Sequence, residues 1–459
     1  MSGSSGPTGL ADFSEMLARG ADAPEPDPLD PATQESARRR RTRRRVAGLV
    51  VVLLIVAAVG TYLPVTLLAP LPTAVLTATK PALTVPAAVQ LTLPAQGESA
   101  VSVTGAETFA GTVGTNGILA SSGGPGPLPI ASISKLITAL VVLQAKPLTG
   151  DDAGPTLTFS KADHDLYDQY YVLGASVEPM KTGSTLSEHD ALALMLVASA
   201  CNYADAVSTW AFGSRARYLS AVKTWLSAHG LSGTTIVEPT GIDAKNVSTP
   251  SDLITIGKLA MANPTLASIV GSRTVDVPGV GAVPNNNISL GSEGIDGIKT
   301  GTLDSAGSCL LFSATVNVGL PKPITITGVI LDGSSRETVN SDAQILIRSI
   351  ESGFHVVTLE TTGTVVGRYG TAWKDGARVV TGDRASVLTW SDAPISSTMT
   401  VRPLSITAGK TVTDGSTVGS LDFTVNGSVI SVPLVLDGSI SGPGGWWRLT
   451  HPEMLLGGH

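Results

Sequence analysis

Residues 46–68 (VAGLVVVLLIVAAVGTYLPVTLL) form an almost unbroken apolar run. A helix apolar on every side has no stable place on a water-exposed surface. About twenty such residues cross the ~30 Å hydrocarbon core of a bilayer. The run therefore divides the chain into two sides. Arg38, Arg39, Arg40, Arg41, Arg43, Arg44 and Arg45 stand directly before it. Basic flanks stay in the cytoplasm, which predicts a single-pass protein with a cytoplasmic N-terminus and the remainder of the chain outside the membrane. An arginine run also suits nucleic acid, but beside an apolar span it reads as a topology signal. The net charge of -7 gives nucleic acid no further support. A cleaved signal peptide is the alternative; the long leading tail, the long run and the lack of an A-x-A site favour an uncleaved anchor.

The anchor sets the domain boundaries. Residues 1–45 read as a disordered cytoplasmic tail ending in the arginine cluster. Residues 69–98, with prolines at 70, 72, 81, 86 and 94, read as an extended spacer. Residues 99–352 mix helical and strand patterns. Strands are expected at 100–104, 111–113, 294–298, 309–318 and 324–331. Helices are expected at 130–144, 187–197 (capped by Ser187), 204–210 and 216–229. This is an α/β domain built on an antiparallel sheet. From His355 short Val/Thr/Ile runs alternate with Gly, Asp and Ser turns, so residues 353–440 read as a small all-β domain. Residues 441–459 form a tail with no clear amphipathic helix. Its Trp446 and Trp447 suit packing on the β domain or contact with a membrane surface.

Cysteine and histidine usage narrows the chemistry. The two cysteines, Cys201 and Cys309, are too few for a disulfide framework, and their small or apolar neighbours suit buried free thiols. The six histidines show no H-E-x-x-H or comparable metal-ligand spacing, which disfavours a zinc peptidase.

Three short motifs remain. In Ser132-Ile133-Ser134-Lys135, opening an apolar helix, residues three apart share a face and enter one cleft. A serine hydroxyl is a weak nucleophile until a nearby base takes its proton, and a lysine can be that base. Ser199-Ala200-Cys201 follows the second helix. Lys299-Thr300-Gly301-Thr302 follows the apolar stretch 294–298; there the glycine lets a ligand backbone approach, the lysine offers positive charge and the threonines offer hydroxyls. Lys181-Thr182-Gly183 repeats the tripeptide without a strand before it and reads as a turn.

S-x-x-K, a later S-x-N-like triplet and K-T-G in this order resemble the penicillin-binding proteins and class A β-lactamases. The separations, 67 residues from Ser132 to Ser199 and 100 from Ser199 to Lys299, are similar to those of the low-molecular-weight D-alanyl-D-alanine carboxypeptidases. The text around them (PIASISKLITAL, LALMLVASACNYADAV, IVEPTGIDAKNVSTPSDL, GIDGIKTGTLDSAGSCLLFSA) and the β domain resemble that group too. The resemblance implies a penicillin-binding/β-lactamase-like catalytic domain and a serine D,D-carboxypeptidase acting on peptidoglycan peptides that end in D-Ala-D-Ala, with β-lactams as inhibitors. It implies Ser132 as nucleophile, Lys135 as its base and Ser199 as proton relay. Lys299, Thr300 and Thr302 would hold the substrate carboxylate beside Gly301, and the backbone N–H groups of Ser132 and Thr302 would form the oxyanion hole. No metal or organic cofactor is implied. One departure stands out: Cys201 occupies the place of the family's asparagine, and a thiol is a weaker donor and acceptor than an amide. Asn202 follows directly but should point elsewhere. A D,D-transpeptidase on the same site, a catalytically degraded wall-binding scaffold and a β-lactamase are the alternatives. The last would need a carboxylate base, for which Glu238 is the only candidate. A cysteine nucleophile at Cys201 lacks a nearby histidine in sequence.

Overall fold

The computed structural model describes residues 31–79, 81–106, 109, 117–149 and 152–456. The expected strand 111–113 and most of the expected tail lie outside them. Helix α1, Pro31–Leu68, runs through the arginines and the apolar stretch alike. The arginines, expected in a disordered tail, are instead helical. Within it Arg38–Leu68 is long and apolar enough to cross a membrane.

Among the described residues, the first folded region is built on a five-stranded sheet. Its strands are β2 (Glu98–Thr104), β3 (Ala120–Ser122), β4 (Ile295–Leu303), β5 (Gly307–Val316) and β6 (Ile324–Gly333), after an earlier strand β1 (Val75–Ala78) that belongs to another sheet. The order is β4-β5-β6-β2-β3, with every pairing antiparallel. Successive side chains of a strand point to opposite faces, and here both faces are buried. Leu311 and Val329 join one apolar cluster, while Leu310, Phe312 and Ile330 join another.

The helices follow from local signals. α2 (Ser134–Ala145) is buried along nearly its whole length and has no polar face. α3 (Lys161–Val172) begins with a reciprocal capping box between Ser160 and Asp163. α4 (Glu188–Val197) is capped by Ser187, as its sequence predicts. α5 (Cys201–Phe212) ends at a left-handed Gly213. α6 (Arg215–Ala228) follows Ser214, and α7 (Pro250–Ala262) starts with Thr249 as cap and Pro250 as first residue. α8 is Pro264–Gly271 and α9 is Arg336–Ser352. α7 packs in the cluster on one sheet face, and α9 covers the other with Val339, Ala343, Leu346 and Ile350.

The second region is all-β. Strands β7 (Phe354–Glu360), β8 (Val365–Gly370), β9 (Gly376–Thr381), β10 (Ala385–Trp390), β11 (Ile395–Val401), β12 (Thr417–Val425) and β13 (Ser428–Asp437) fill it. Six strands make one antiparallel sheet in the order β1-β8-β9-β13-β12-β11. β7 pairs with β10, and Phe354 packs on Trp390 with ring centroids 4.7 Å apart where this region meets α9.

Two expectations differ here. Residues 69–98 are extended but not a free spacer. β1 is an edge strand of the six-stranded sheet, Leu83 packs on that sheet's core, and Val89, Leu91 and Leu93 pack on the core of the first region. Alternating apolar residues in 74–78 could pair with a sheet that sequence periodicity alone did not supply. The tail also carries helix: α10 (Gly445–Thr450) and α11 (Pro452–Leu456) pack against the end of α1. They are too short for a periodic signal, and tertiary contact accounts for them.

Candidate active site

Ser132 lies in a single 3-10 turn, Ala131–Ile133, just before α2. The α-helical start expected at 130 is therefore displaced to Ser134. The 3-10 turn eclipses residues three apart, which brings Lys135 under Ser132. Lys135 Nζ donates to Ser132 Oγ at 2.9 Å, to Cys201 Sγ at 3.3 Å and to the Thr240 carbonyl at 2.7 Å. Lys135 is fully buried. One amino group thus joins the first motif, the second motif and the loop that carries Glu238.

That loop is built around Glu238. Its carboxylate accepts from the N–H groups of Thr240 and Gly241, both at 2.6 Å, and from the Thr240 hydroxyl at 2.7 Å and Asn246 Nδ2 at 3.1 Å. Thr138 on α2 donates to the Pro239 carbonyl at 2.9 Å. The turn so formed aims the Thr240 carbonyl at Lys135. Gly241 has φ +88, and a Cβ there would lie 1.9 Å from the Ala131 carbonyl oxygen, so only glycine lets this loop reach the turn that carries Ser132. Thr240 and Gly241 are the site residues the sequence reasoning passed over. The E-P-T-G string, a carboxylate followed by turn formers, was the available signal. Glu238, the one candidate for a deacylating base, is engaged in holding this turn.

Ser199 precedes α5 in a left-handed conformation with φ 63. Its Oγ is buried and has no hydrogen-bond partner among the described residues. Cys201 begins α5, buried, with its N–H on the Ser176 carbonyl. Asn202 points away, as expected: its side chain donates to the Glu178 carbonyl at 2.8 Å and accepts from the Glu178 N–H at 3.2 Å. This pair clamps the loop after α3 to the start of α5.

The third motif lies inside β4, the edge strand of the sheet, rather than after a strand as its apolar lead suggested. Lys299, Thr300 and Gly301 pair with Leu311, Leu310 and Cys309 on the inner side. A Cβ on Gly301 would meet the Ala131 Cβ at 3.0 Å and the Ser132 nitrogen at 3.1 Å, so this strand edge closely abuts the turn that carries Ser132. Lys299 is buried and donates to the Thr300 carbonyl at 3.1 Å. Burial first, and the neighbouring Lys135 second, hold its amino group well below the usual lysine range. Lys181, the decoy, is exposed in the turn before Ser184, with Gly183 at φ 79.

Ser132 and Lys135, Ser199 and Cys201, and Lys299 to Thr302 thus come from three separate stretches, which the Lys135–Cys201 contact and the close approach of Gly301 to Ser132 bring together. Both cysteines are free and buried; burial pushes the Cys309 thiol up to about 11. The arrangement offers a hydroxyl next to an amine, a second hydroxyl unpartnered among the described residues, and a buried lysine amino group on a strand at the sheet edge. Those are parts for acyl transfer to serine, with recognition of an anionic ligand terminus.

Residues 98–333 match a family described as Peptidase_S11, D-alanyl-D-alanine carboxypeptidase. The chain is 28% identical over 239 residues to a D-alanyl-D-alanine endopeptidase of Pseudomonas aeruginosa, which covers 49% of this chain and 70% of that protein. It is 27% identical over 235 residues to a D-alanyl-D-alanine endopeptidase of Escherichia coli, with the same two coverages. Among solved structures, a peptidoglycan synthesis regulatory factor from Streptococcus pneumoniae superposes with a TM-score of 0.50 at 18% identity, covering 77% of this chain and 100% of that one. At that identity the likeness is one of fold.

Proposed function

Because the chain belongs to the D-alanyl-D-alanine carboxypeptidase family, we propose that Ser132 is the nucleophile of its serine D,D-peptidase reaction, with Lys135 as general base and Ser199 as proton relay. The observation that carries this assignment is the 2.9 Å contact between Lys135 Nζ and Ser132 Oγ, within hydrogen-bond reach for proton transfer.

The steps follow the atoms. Ser132 Oγ attacks the carbonyl between two terminal D-alanines while its proton passes to Lys135. The oxyanion faces the backbone N–H groups of Ser132 and Thr302; one such donor is worth about 3 kcal/mol in transition-state stabilisation. The C–N bond breaks as the leaving amine takes the proton by way of Ser199, whose buried hydroxyl has no partner among the described residues. An ester to Ser132 remains. Water attacks it, releases the shortened peptide as a carboxylic acid and restores the serine. Lys299, with the hydroxyls of Thr300 and Thr302, holds the terminal carboxylate, and Gly301 leaves room for the peptide along the edge of β4. β-Lactams acylate the same oxygen. An amine in place of water turns the second half into transpeptidation. Engagement of Glu238 in its own turn argues against a β-lactamase, because no other carboxylate was a candidate to speed deacylation.

Residues 46–68 are proposed to span a bacterial cell membrane with the arginines on the cytoplasmic side and the peptidase outside. The domain limits, a catalytic unit over 99–352 and a β domain over 353–440, are proposed on the same reading.

The test is covalent labelling with a fluorescent penicillin beside a Ser132→Ala control. A stable label that vanishes in the control supports the assignment. Labelling that persists in Ser132→Ala removes Ser132 as nucleophile, sustained turnover of penicillin favours a β-lactamase, and no label on the folded protein favours a degraded scaffold.

A further inference from the structure

The last described helices of the chain return to the first. Arg448, buried on α10, donates through Nε to the Thr66 carbonyl at 3.2 Å and through Nη2 to the Ala69 carbonyl. Tyr62 on α1 donates to the Leu449 carbonyl at 2.6 Å. The final carbonyls of a helix lack intrahelical donors and carry partial negative charge, so a guanidinium there is favourable twice over. Gly445 also approaches Leu67 at a distance that a Cβ would fill at 3.6 Å. The C-terminal end of α1 is therefore capped from the opposite end of the sequence.

Depth along α1 places this contact. From Arg45 to Thr66 an α-helix rises about 31 Å, close to the ~30 Å hydrocarbon thickness of a bilayer. With Arg45 at the inner boundary, Thr66 stands at the outer one, and α10 with it. Trp447 faces the protein, 5.9 Å from Trp373 and stacked on His451. Trp446 is 78% exposed, and Met454 and Leu456 on α11 are also exposed. A tryptophan with an apolar body and one N–H donor is suited to the headgroup layer, and this one is held at that level by a buried arginine.

We propose that Gly445–Leu456 is an interfacial collar. It locks the β domain onto the end of α1 and seats Trp446, Met454 and Leu456 in the headgroup–acyl boundary of the outer membrane surface. The partner is the lipid interface itself. β1 supports the same geometry, because only six residues separate the end of α1 from an edge strand of the β-domain sheet. The catalytic cleft then stands at a fixed height and attitude above the bilayer instead of swinging on a loose tether.

The inference rests on α1 spanning the membrane, and the experiment separates the two. The full chain is reconstituted into phosphatidylcholine–phosphatidylglycerol vesicles, with and without lipid brominated on the acyl chain near the headgroup. Flotation after alkaline wash reports the span, and bromine quenching of tryptophan fluorescence reports the collar. The expected result is flotation with a quenched component near one tryptophan's share of the six, lost in Trp446→Phe and retained in Trp390→Phe. Flotation with equal quenching in wild type and Trp446→Phe overturns the collar and leaves the span. Failure to float overturns the span, and the collar with it. Because Trp446 is exposed, its replacement should leave folding and penicillin labelling unchanged, which labelling verifies in the same sample.

Discussion

Replacing Gly241 by alanine tests whether the 238–246 turn positions the nucleophile. The new Cβ would fall 1.9 Å from the Ala131 carbonyl oxygen, 2.4 Å from its carbon and 3.0 Å from the Ser132 nitrogen. All three are backbone atoms, so no side-chain rotation relieves the overlap. The residue also has φ +88, which costs about 1–2 kcal/mol for a residue with a Cβ. Moving packed backbone adds about 1–3 kcal/mol. Together these give about 2–5 kcal/mol, a loss of roughly 4 °C or more in melting temperature for a domain of this size. The turn must withdraw from Ala131, and the Thr240 carbonyl withdraws with it from Lys135, now 2.7 Å away. A displacement of about 1 Å in a reacting constellation can cost on the order of 100-fold in rate. The second-order rate constant for acylation by a fluorescent penicillin should therefore fall about 100-fold at a temperature where the variant is still folded. Gly183→Ala supplies the control: it has φ +79 and open space around its Cβ position. It should lose about 1 kcal/mol in stability and nothing in acylation. Equal acylation rates in Gly241→Ala and wild type would refute the positioning argument, whatever the melting temperatures showed.

Cys201→Asn should keep or raise the acylation rate, since an amide oxygen is a better acceptor than the thiol now 3.3 Å from Lys135 Nζ; abolished labelling in the folded variant would show that the thiol has its own role. Lys299 is held well below the usual lysine range by burial and Lys135, and a bound carboxylate should raise it again, so binding of a D-Ala-D-Ala peptide to the Ser132→Ala variant should take up a proton and tighten as pH falls from the ordinary lysine range. Calorimetry in buffers of different ionisation enthalpy checks this, and affinity indifferent to pH across that range would contradict it. Glu188, fully buried at the head of α4 with neither carboxylate oxygen partnered among the described residues, has its carboxyl pushed up to about 7 by burial. The folded state then holds a proton that the unfolded chain has released, so stability declines as pH rises from about 4.5 to 7 and levels off above; Glu188→Gln should remove roughly 1–3 kcal/mol of that slope, read from denaturant midpoints at each pH.

The parts of the fold legible in the sequence were those with a local cause. Ser187 capped its helix where expected, the wholly apolar stretch after Ser132 became a buried helix, and the apolar runs before and after Lys299 became neighbouring strands. α3 and α7 also announced themselves, through Ser160/Asp163 and Thr249-Pro250, though neither was read. The rest was set by distant partners. β1 exists because a sheet assembled some 290 residues later offers it an edge. α10 and α11 exist because α1 gives them a surface and Arg448 a pair of carbonyls. The site divides in the same way. The motif residues were legible because side-chain chemistry identifies them, whereas Thr240 contributes only a backbone oxygen and Gly241 only the absence of a Cβ, and neither contribution has a side-chain signature.

The site also gathers several of the local rules that this part of the chain breaks. Ala131 and Ser199 adopt left-handed conformations without being glycine, at about 1–3 kcal/mol each. Among the described residues Lys135 and Lys299 are buried without a carboxylate among their hydrogen-bond partners, and Ser199 Oγ has no hydrogen-bond partner. None of these helps the domain fold, and the fully buried α2 and the doubly covered sheet must offset them. Their cost makes sense if the substrate supplies what is missing: a carboxylate for Lys299 and a leaving amine for Ser199. The same logic predicts the direction of ligand linkage. A bound D-Ala-D-Ala peptide, or a penicillin covalently held on Ser132, should raise the melting temperature by more than the loss of one exposed hydroxyl could explain. In Lys299→Met, which removes the buried amino group, the stability of the free enzyme should hold or rise while the stabilisation by ligand shrinks. A Lys299→Met protein that melted lower than wild type, yet gained as much from ligand, would mean that the lysine serves the fold and not the site.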